Sequence, residues 1–225
     1  MNLVELKNVE KVYVTGKISV KALKGVNLGV EKGEFTAVVG PSGSGKTTLL
    51  NIIGCIDKPT SGEVIMEGNL LTEKSPDELA RLRRHYFGFI FQSFNLIPVL
   101  NVYENVELAL NLKYPNMSRK EKERKILEIL EIVGLVDRKD LRPLELSGGE
   151  QQRVSIARAL VKDPEFVLAD EPTANLDSET GKNIINLMRE LNEKKGVTFI
   201  FSTHDPMIMQ YAKRVIKLRD GKIEE

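Results

Sequence analysis

The sequence predicts an α/β fold with a mostly parallel sheet, an antiparallel β lobe at the N-terminus and an inserted α-helical lobe at approximately 93–162. Three observations support this prediction. The first third of the chain is rich in strand-forming runs separated by glycines, the middle has consecutive segments of helical spacing, and the last third alternates apolar runs with a helical segment. We therefore expect one domain over residues 1–225, with its parallel sheet built from both ends of the chain.

The first third is predicted to be mainly strand. Phe35–Val39 is a short apolar run typical of a buried parallel strand, and it ends at Gly40. A glycine-rich turn then leads into a predicted helix over Lys46–Ile53. The other elements predicted in this part are strands at 2–13, 20–30, 62–67 and 88–91 and a helix at 76–85.

The middle of the chain is predicted to be helical, and the last third to return to alternating strand and helix. Ser118 and Glu121 have the spacing of a capping box, which favours a helix start at this point. The elements predicted from here on are helices at 102–112, 118–133, 147–161 and 178–195 and strands at 166–169, 197–202 and 214–218.

Composition excludes several classes of protein. Thirty-three Lys and Arg against 32 Asp and Glu give a formal net charge of +1, which argues against a dedicated nucleic-acid binder. The single cysteine, Cys55, cannot form an intrachain disulfide, and the N-terminus lacks the pattern of a secretory signal. No run approaches the 18 or so apolar residues of a membrane span. We expect a protein of the cytosol that reaches a membrane only through a partner.

The segment from Gly40 to Thr47 fits the pattern G-x-x-x-x-G-K-[ST] between an apolar strand and a helix. Glycines let backbone N–H groups point at a phosphate, and the helix N-terminus adds its positive dipole end. Lys46 can reach the β- and γ-phosphates, and the Thr47 hydroxyl can ligate Mg²⁺. The alternative is an ordinary glycine turn, but the context favours a P-loop NTPase core. The nucleotide contacts predicted here are Gly40, Pro41, Ser42, Gly43, Ser44, Gly45, Lys46, Thr47 and Thr48.

Two carboxylates follow the predicted strand at 166–169, where open α/β sheets bind ligands. Asp170 is placed to hold Mg²⁺, directly or through water, and Glu171 is the candidate general base for an attacking water. On its own, this pair could simply be a polar strand exit. His204 ends another apolar strand in the same way and is a second catalytic candidate, whereas His85 lies on a charged helix and receives no role.

A second candidate phosphate-binding surface lies at the N-terminal end of the predicted helix at 147–161. Ser147 and Glu150 fit a capping box, which explains part of the pattern without any function. Gly148 and Gly149 are not explained in this way, because each glycine costs a helix about 0.5–1 kcal/mol relative to alanine. We interpret their bare N–H groups as a surface for an anion at the helix N-terminus.

These motifs, taken together, resemble those of the ATP-binding cassette (ABC) ATPases along essentially the whole chain. The matching elements are the phosphate loop at 40–47, Gln92 after a strand, the signature at 146–151, Asp170-Glu171, the loop 175–177 that contains Asp177, and His204. The resemblance implies ATP and Mg²⁺ as cofactors.

The resemblance also implies roles and partners. Gln92 would ligate Mg²⁺ or its water, together with Thr47 and Asp170, and couple the core to the helical lobe. Tyr13 would stack on adenine, although a strand tyrosine is often only a packing residue. Two chains, as a homodimer or pseudo-symmetric dimer, would enclose each ATP between one phosphate loop and the partner's Ser147–Gly149. A separate integral-membrane permease would hold the pair at the cytoplasmic face of the membrane.

Within the family, the turn at 13–26 and the segments 94–100 and 102–106 look similar to the macrolide-export and lipoprotein-release branch. Asn101 stands where that branch usually has threonine, and either residue can cap a helix. The competing classes are chromosome or DNA-repair ATPases, which need a long coiled coil, and translation factors with two cassettes in one chain. A non-transporting cassette that transmits force to a membrane partner, as in cell division, stays open.

Overall fold

The computed structural model describes residues 2–224, which form two β-sheets and their covering helices. The strands are β1 (Asn2–Thr15), β2 (Ile18–Glu31), β3 (Phe35–Val39), β4 (Ser61–Met66), β5 (Asn69–Leu70), β6 (Phe87–Ile90), β7 (Phe166–Asp170), β8 (Thr198–Thr203), β9 (Arg214–Arg219) and β10 (Lys222–Glu224). The α-helices are α1 (Lys46–Ile53), α2 (Pro76–Tyr86), α3 (Val102–Lys113), α4 (Arg119–Ile132), α5 (Gly148–Leu160), α6 (Ser178–Lys195) and α7 (Pro206–Met209).

The larger sheet has six strands in the order β10-β9-β3-β8-β7-β6. Its five strands from β9 to β6 are all parallel to one another, and β10 pairs with β9 in the antiparallel direction. The smaller sheet, in the order β2-β1-β4-β5, is antiparallel and includes the N-terminal strands. The predicted fold class, a mostly parallel sheet with an N-terminal antiparallel β lobe and helices, is therefore confirmed.

Most predicted elements are present with shifts of a few residues at their ends. Strand β3 and helices α1 and α6 have the predicted bounds. Ser118 caps α4 through the expected capping box, and Asn101 caps α3 as expected, through a capping box with Glu104 that was not predicted. Strands β1 and β2 run further than predicted because they pair as far as the closing turn, where Thr15 faces Ile18. Strands β5 and β10 and helix α7 were not predicted, since elements of two to four residues show no periodicity.

Apolar side chains cover both faces of the six-stranded sheet. Along β3, Phe35 and Ala37 point into a cluster that includes residues of α3 to α6, and Val38 points into a second cluster shared with α1 and the antiparallel sheet. Helix α3 contributes Val106 and Leu110 to the first cluster, so the helices of the middle segment pack in one core with the sheet. The lobe boundaries near 93 and 162 stay a prediction.

None of the helices within residues 2–224 combines the length and the apolar character that a membrane crossing requires.

Candidate active site

The predicted catalytic residues and the phosphate loop gather at the carboxyl ends of three neighbouring strands. The phosphate loop follows β3, Asp170 ends β7, and His204 follows β8, which lies between them. A cavity of about 820 Å³ opens at this edge. The predicted residues that line it are Tyr13, Pro41, Ser42, Gly43, Gly45, Lys46, Thr47, Thr48, Gln92, Glu171 and His204.

The phosphate loop is packed so closely that two of its glycines admit no side chain. A Cβ atom on Gly40 would lie 2.0 Å from the carbonyl oxygen of Leu218, and one on Gly45 would lie 2.6 Å from that of Ala22. Gly45 also has a φ of 105° and forms the N-cap of α1. The loop therefore holds its shape against the neighbouring backbone while the N-terminus of α1 points at the cavity.

The polar groups of this loop fit a phosphate ligand. Lys46 Nζ is buried inside the loop and donates hydrogen bonds to the carbonyl oxygens of Gly40, at 2.8 Å, and Pro41, at 3.2 Å. Ser44 Oγ is buried and has no hydrogen-bond partner among residues 2–224. A buried cation and an unsatisfied hydroxyl beside bare backbone amides suit a phosphate oxygen.

The acidic pair is held by hydroxyl groups and by His204. Asp170 Oδ2 accepts a hydrogen bond from the Thr47 hydroxyl at 2.8 Å, and its Oδ1 accepts one from the Ser202 hydroxyl at 2.6 Å. Both carboxylate oxygens of Glu171 lie 3.0 Å from His204 Nδ1, and Oε1 lies 3.7 Å from Lys46 Nζ. The Glu171 carboxylate is thus held at the cavity between the imidazole of His204 and the side-chain nitrogen of Lys46.

The donor set near Thr47 also fits Mg²⁺. The Thr47 hydroxyl and the Asp170 carboxylate are adjacent hard oxygen ligands, and Gln92 lines the same cavity. Residues 2–224 contain no group of three or more His, Cys, Asp or Glu side chains suited to a metal. One or two protein oxygens completed by phosphate and water are the usual protein surroundings of Mg²⁺.

Tyr13 presents an aromatic ring to the cavity and is only half-buried. Its hydroxyl donates to Asp57 Oδ2 at 2.8 Å, and the Nζ of Lys11 donates to Asp57 Oδ1 while lying 4.9 Å from the centre of the Tyr13 ring. Partial desolvation raises the pKa of the Tyr13 hydroxyl, so the group stays protonated and keeps donating. Lys11 Nζ therefore lies over one face of the Tyr13 ring at the edge of the cavity.

The signature residues lie at the start of α5, outside this cavity. Ser147 Oγ accepts from the Glu150 N–H at 3.3 Å, and the Ser147 N–H donates to the Glu150 carboxylate at 2.9 Å, which confirms the capping box. That backbone bond holds the pKa of Glu150 below its ordinary value. Asp177 caps α6 through the N–H groups of Glu179 and Thr180 and does not line the cavity either.

Gly148 and Gly149 of the signature differ in how much space surrounds them. A Cβ atom on Gly149 would lie 2.5 Å from Cγ2 of Thr180, so the close approach of α5 to α6 excludes a side chain there. This contact gives Gly149 a reason in packing, which the cost of a glycine to the helix does not reveal. A Cβ atom on Gly148 would meet Leu176 at an ordinary 3.5 Å, so packing does not require glycine at that position.

The cavity also has lining residues that sequence reasoning missed. They are Val20, Lys21, Ala22, Lys24, Asp220 and Gly221. The dipeptide Asp220-Gly221 is a recognisable hairpin signal and forms the turn between β9 and β10. Its link to the phosphate loop, a bond from the Gly221 N–H to the Ser44 carbonyl oxygen at 3.0 Å, is visible only in the structure.

Comparison with known proteins decides the family. A family model described as ABC transporter matches residues 23–174. The chain belongs to the ABC transporter family. This ABC cassette is 49% identical, over 224 residues, to the uncharacterized ABC transporter ATP-binding protein MJ0796 of Methanocaldococcus jannaschii, with 99% of this chain and 95% of that protein covered.

Two further relatives define what the ABC cassette resembles. It is 45% identical to the macrolide export ATP-binding/permease protein MacB of Syntrophobacter fumaroxidans over 100% of its own length but only 31% of that protein. A dimeric structure of a post-hydrolysis state of the ATP-binding cassette MJ0796 bound to ADP and Pi superposes with a TM-score of 0.92 at 49% identity, covering 99% of this chain and 97% of that one. The predictions of an ABC-type ATPase and of likeness to the macrolide-export branch are confirmed.

Proposed function

We propose that this ABC cassette hydrolyses ATP at two sites, each shared between two copies of the chain, and that hydrolysis drives a separate membrane permease. The observation that carries the proposal is the position of the Glu171 carboxylate, which faces the phosphate loop 3.7 Å from Lys46 Nζ. Phosphate release by the purified chain, measured with and without Mg²⁺, tests the reaction.

At the phosphates, the residues of this chain bind, orient and neutralise charge. Lys46 turns from the loop carbonyls to the β- and γ-phosphates, and the N–H groups at the start of α1 donate to the same oxygens. Thr47 and Asp170 would hold Mg²⁺, with Gln92 near it, and the ion would supply charge neutralisation at the β- and γ-oxygens. Mg²⁺ is therefore the metal that we propose for this cassette.

At the γ-phosphate, Glu171 acts as the general base for the attacking water. A water lying between the carboxylate and the phosphate donates its proton to a Glu171 oxygen as it attacks. His204 Nδ1, 3.0 Å from both carboxylate oxygens, donates to them and holds the side chain in this direction. His204 also remains largely exposed, with 66% of its side chain accessible, so it can contact a ligand or a second copy directly.

The second copy supplies what a single chain lacks. Ser147, Gly148, Gly149, Glu150 and Asp177 lie outside the cavity that contains the phosphate loop. A head-to-tail pair would place these residues of one copy over the phosphates held by the other, and the related MJ0796 cassette is dimeric in its post-hydrolysis structure bound to both ADP and Pi. Gln92 is tied to the loop before Asp177, since its carbonyl oxygen accepts from Asn175 Nδ2 at 2.8 Å.

We expect Tyr13→Ala to raise the dissociation constants for ATP and GTP alike by about tenfold, about 1.4 kcal/mol, because a stacking face discriminates poorly between purines. The Mg²⁺ dependence should not change. Equilibrium binding of fluorescent nucleotides measures the effect. Tyr13→Phe is the matched control, since it keeps the ring and removes only the hydroxyl, which bonds Asp57. Wild-type affinity in Tyr13→Ala would exclude Tyr13 from the site.

The permease partner would place the cassette at the cytoplasmic face of a membrane. The relative MacB is named as a combined ATP-binding and permease protein, of which this chain matches 31% of the length. Residues 94–100, here called the docking segment, follow Gln92 and are unusually apolar. Their shape is fixed by Asn105, whose buried amide bonds the Ile97 N–H at 2.8 Å and the Leu100 carbonyl oxygen at 3.0 Å.

Part of the docking segment faces outward. Leu96 packs against the core, as expected if the segment served only to pack within the helices, whereas Val99 is 71% exposed.

Val99→Glu should leave ATP binding unchanged and abolish assembly with the permease, because a charge then enters an apolar contact. Val14→Glu is the matched control, since Val14 is also 71% exposed but lies in the β1–β2 hairpin. Normal co-purification of Val99→Glu with the permease would contradict a docking role.

A further inference from the structure

A single buried hydroxyl, that of Ser202 at the end of β8, serves both members of the acidic pair. Ser202 stands beside Asp170 in the parallel register of β7 and β8 and is 0% exposed. Its Oγ donates to Asp170 Oδ1 at 2.6 Å and accepts from the Glu171 N–H at 2.9 Å. These two bonds use the donor and one acceptor position of the hydroxyl.

The bond to Glu171 supports an unusual backbone conformation. Glu171 has a φ of 47°, in the left-handed region that residues other than glycine rarely adopt. Strand β7 ends at Asp170, so the Glu171 N–H has left the sheet ladder and bonds the Ser202 hydroxyl instead. The left-handed turn directs the Glu171 side chain into the cavity, towards Lys46 and His204.

The bond to Asp170 fixes the rotation of its carboxylate. Oδ2 bonds the Thr47 hydroxyl and Oδ1 bonds the Ser202 hydroxyl, so the two oxygens have separate partners. If the Thr47 hydroxyl turned to a metal ion, the bond from Ser202 would remain and would keep Oδ2 directed at the same place. An apolar residue at 202 would leave Asp170 Oδ1 and the Glu171 N–H without this partner.

We propose that Ser202 is a positioning residue, which sets the Asp170 carboxylate for Mg²⁺ and the Glu171 carboxylate for the attacking water. The inference rests on the function proposed above, in which those two residues act. Outer contacts of this kind typically change metal affinity or activity by about 10–100-fold when they are removed. Both effects should appear together, because one hydroxyl holds both groups.

The test compares Ser202→Ala with a matched loss of a buried hydroxyl elsewhere on β8. Thr198 is also 0% exposed, and its Oγ1 accepts from the Gly33 N–H at 2.9 Å at the other end of the strand. Thr198→Val therefore removes a buried hydroxyl bond without touching the site. Ser202→Thr restores a hydroxyl at position 202 and should recover most of the wild-type behaviour.

Four measurements separate positioning from general destabilisation. Ser202→Ala should lower kcat about 10–100-fold and weaken Mn²⁺ binding, measured by electron paramagnetic resonance with a non-hydrolysable ATP analogue, by about tenfold or more. Its dissociation constant for ATP without metal should stay within about twofold of wild type, because the phosphate loop is unchanged. Thr198→Val should lower the Tm but leave kcat and Mn²⁺ affinity unchanged.

Wild-type kcat and Mn²⁺ affinity in Ser202→Ala would overturn the inference. Equal losses in Thr198→Val and Ser202→Ala would also overturn it, because they would trace the effect to strand stability. If the wild-type chain itself released no phosphate, the proposed function would fail, and Mn²⁺ affinity would still test the action of Ser202 on Asp170.

Discussion

Glu171→Gln should hydrolyse ATP about 10²–10⁴-fold more slowly than the wild-type chain while binding ATP at least as tightly. The amide keeps the shape of the side chain but removes its basicity and one negative charge near the γ-phosphate. Ground-state binding depends on Lys46, Thr47 and the loop amides, which the substitution does not alter. Phosphate release and equilibrium ATP binding measure the two effects.

The same variant should accumulate as an ATP-dependent dimer. With hydrolysis blocked, the Ser147–Gly149 amides of each copy stay engaged with the γ-phosphate on the other. Size-exclusion chromatography with light scattering should show a dimer with ATP and a monomer with ADP. Hydrolysis at the wild-type rate would show that Glu171 is not the base, and a monomer with ATP bound would remove the main support for the shared site.

Adding Gly148→Asp to Glu171→Gln should abolish the ATP-dependent dimer. Gly148 has ordinary space around a Cβ atom, so the variant should fold. In the dimer, its carboxylate would face the partner's γ-phosphate, and two like unit charges 4 Å apart at a protein surface repel by about 4 kcal/mol. A dimer has two such contacts, so we expect it to be undetectable at micromolar concentration.

Gly148→Asn provides the matched control, because it has nearly the same size without the charge. We expect it to retain part of the dimer, and Gly148→Ala to retain most of it. Equal losses in the Asn and Asp variants would indicate steric exclusion rather than repulsion. Persistence of the dimer in Gly148→Asp would place the γ-phosphate away from α5 and contradict the head-to-tail arrangement.

The features that could be predicted from the sequence are those encoded by neighbouring residues. Strand β3 and helix α1 were predicted with correct bounds because an apolar run and a glycine-rich turn stand next to each other. The candidate residues of the phosphate loop and of the acidic pair were recognised for the same reason. Helix α6 followed from one continuous stretch of helical spacing.

The features that could not be predicted depend on strand order and register. Ser202 reaches Asp170 only because β7 and β8 are neighbours and pair with these two residues side by side. Tyr13 and Asp57 are 44 residues apart in the chain, and no local pattern joins them. Helix propensity identified Gly149 as unfavourable, but the contact with Thr180 that requires a glycine there lies on another helix.

The strand that leads into the phosphate loop pairs with two strands that come much later in the chain. Strand β3 lies between β8 and β9, which are synthesised more than 150 residues after it on the ribosome (198 − 39 = 159). Such non-local pairing is slow to form. A nascent chain interrupted before residue 198 carries the whole phosphate-loop sequence without either strand that holds β3 in place. ATP, which stabilises only the folded site, therefore gives the growing chain no protection until β8 and β9 have been synthesised.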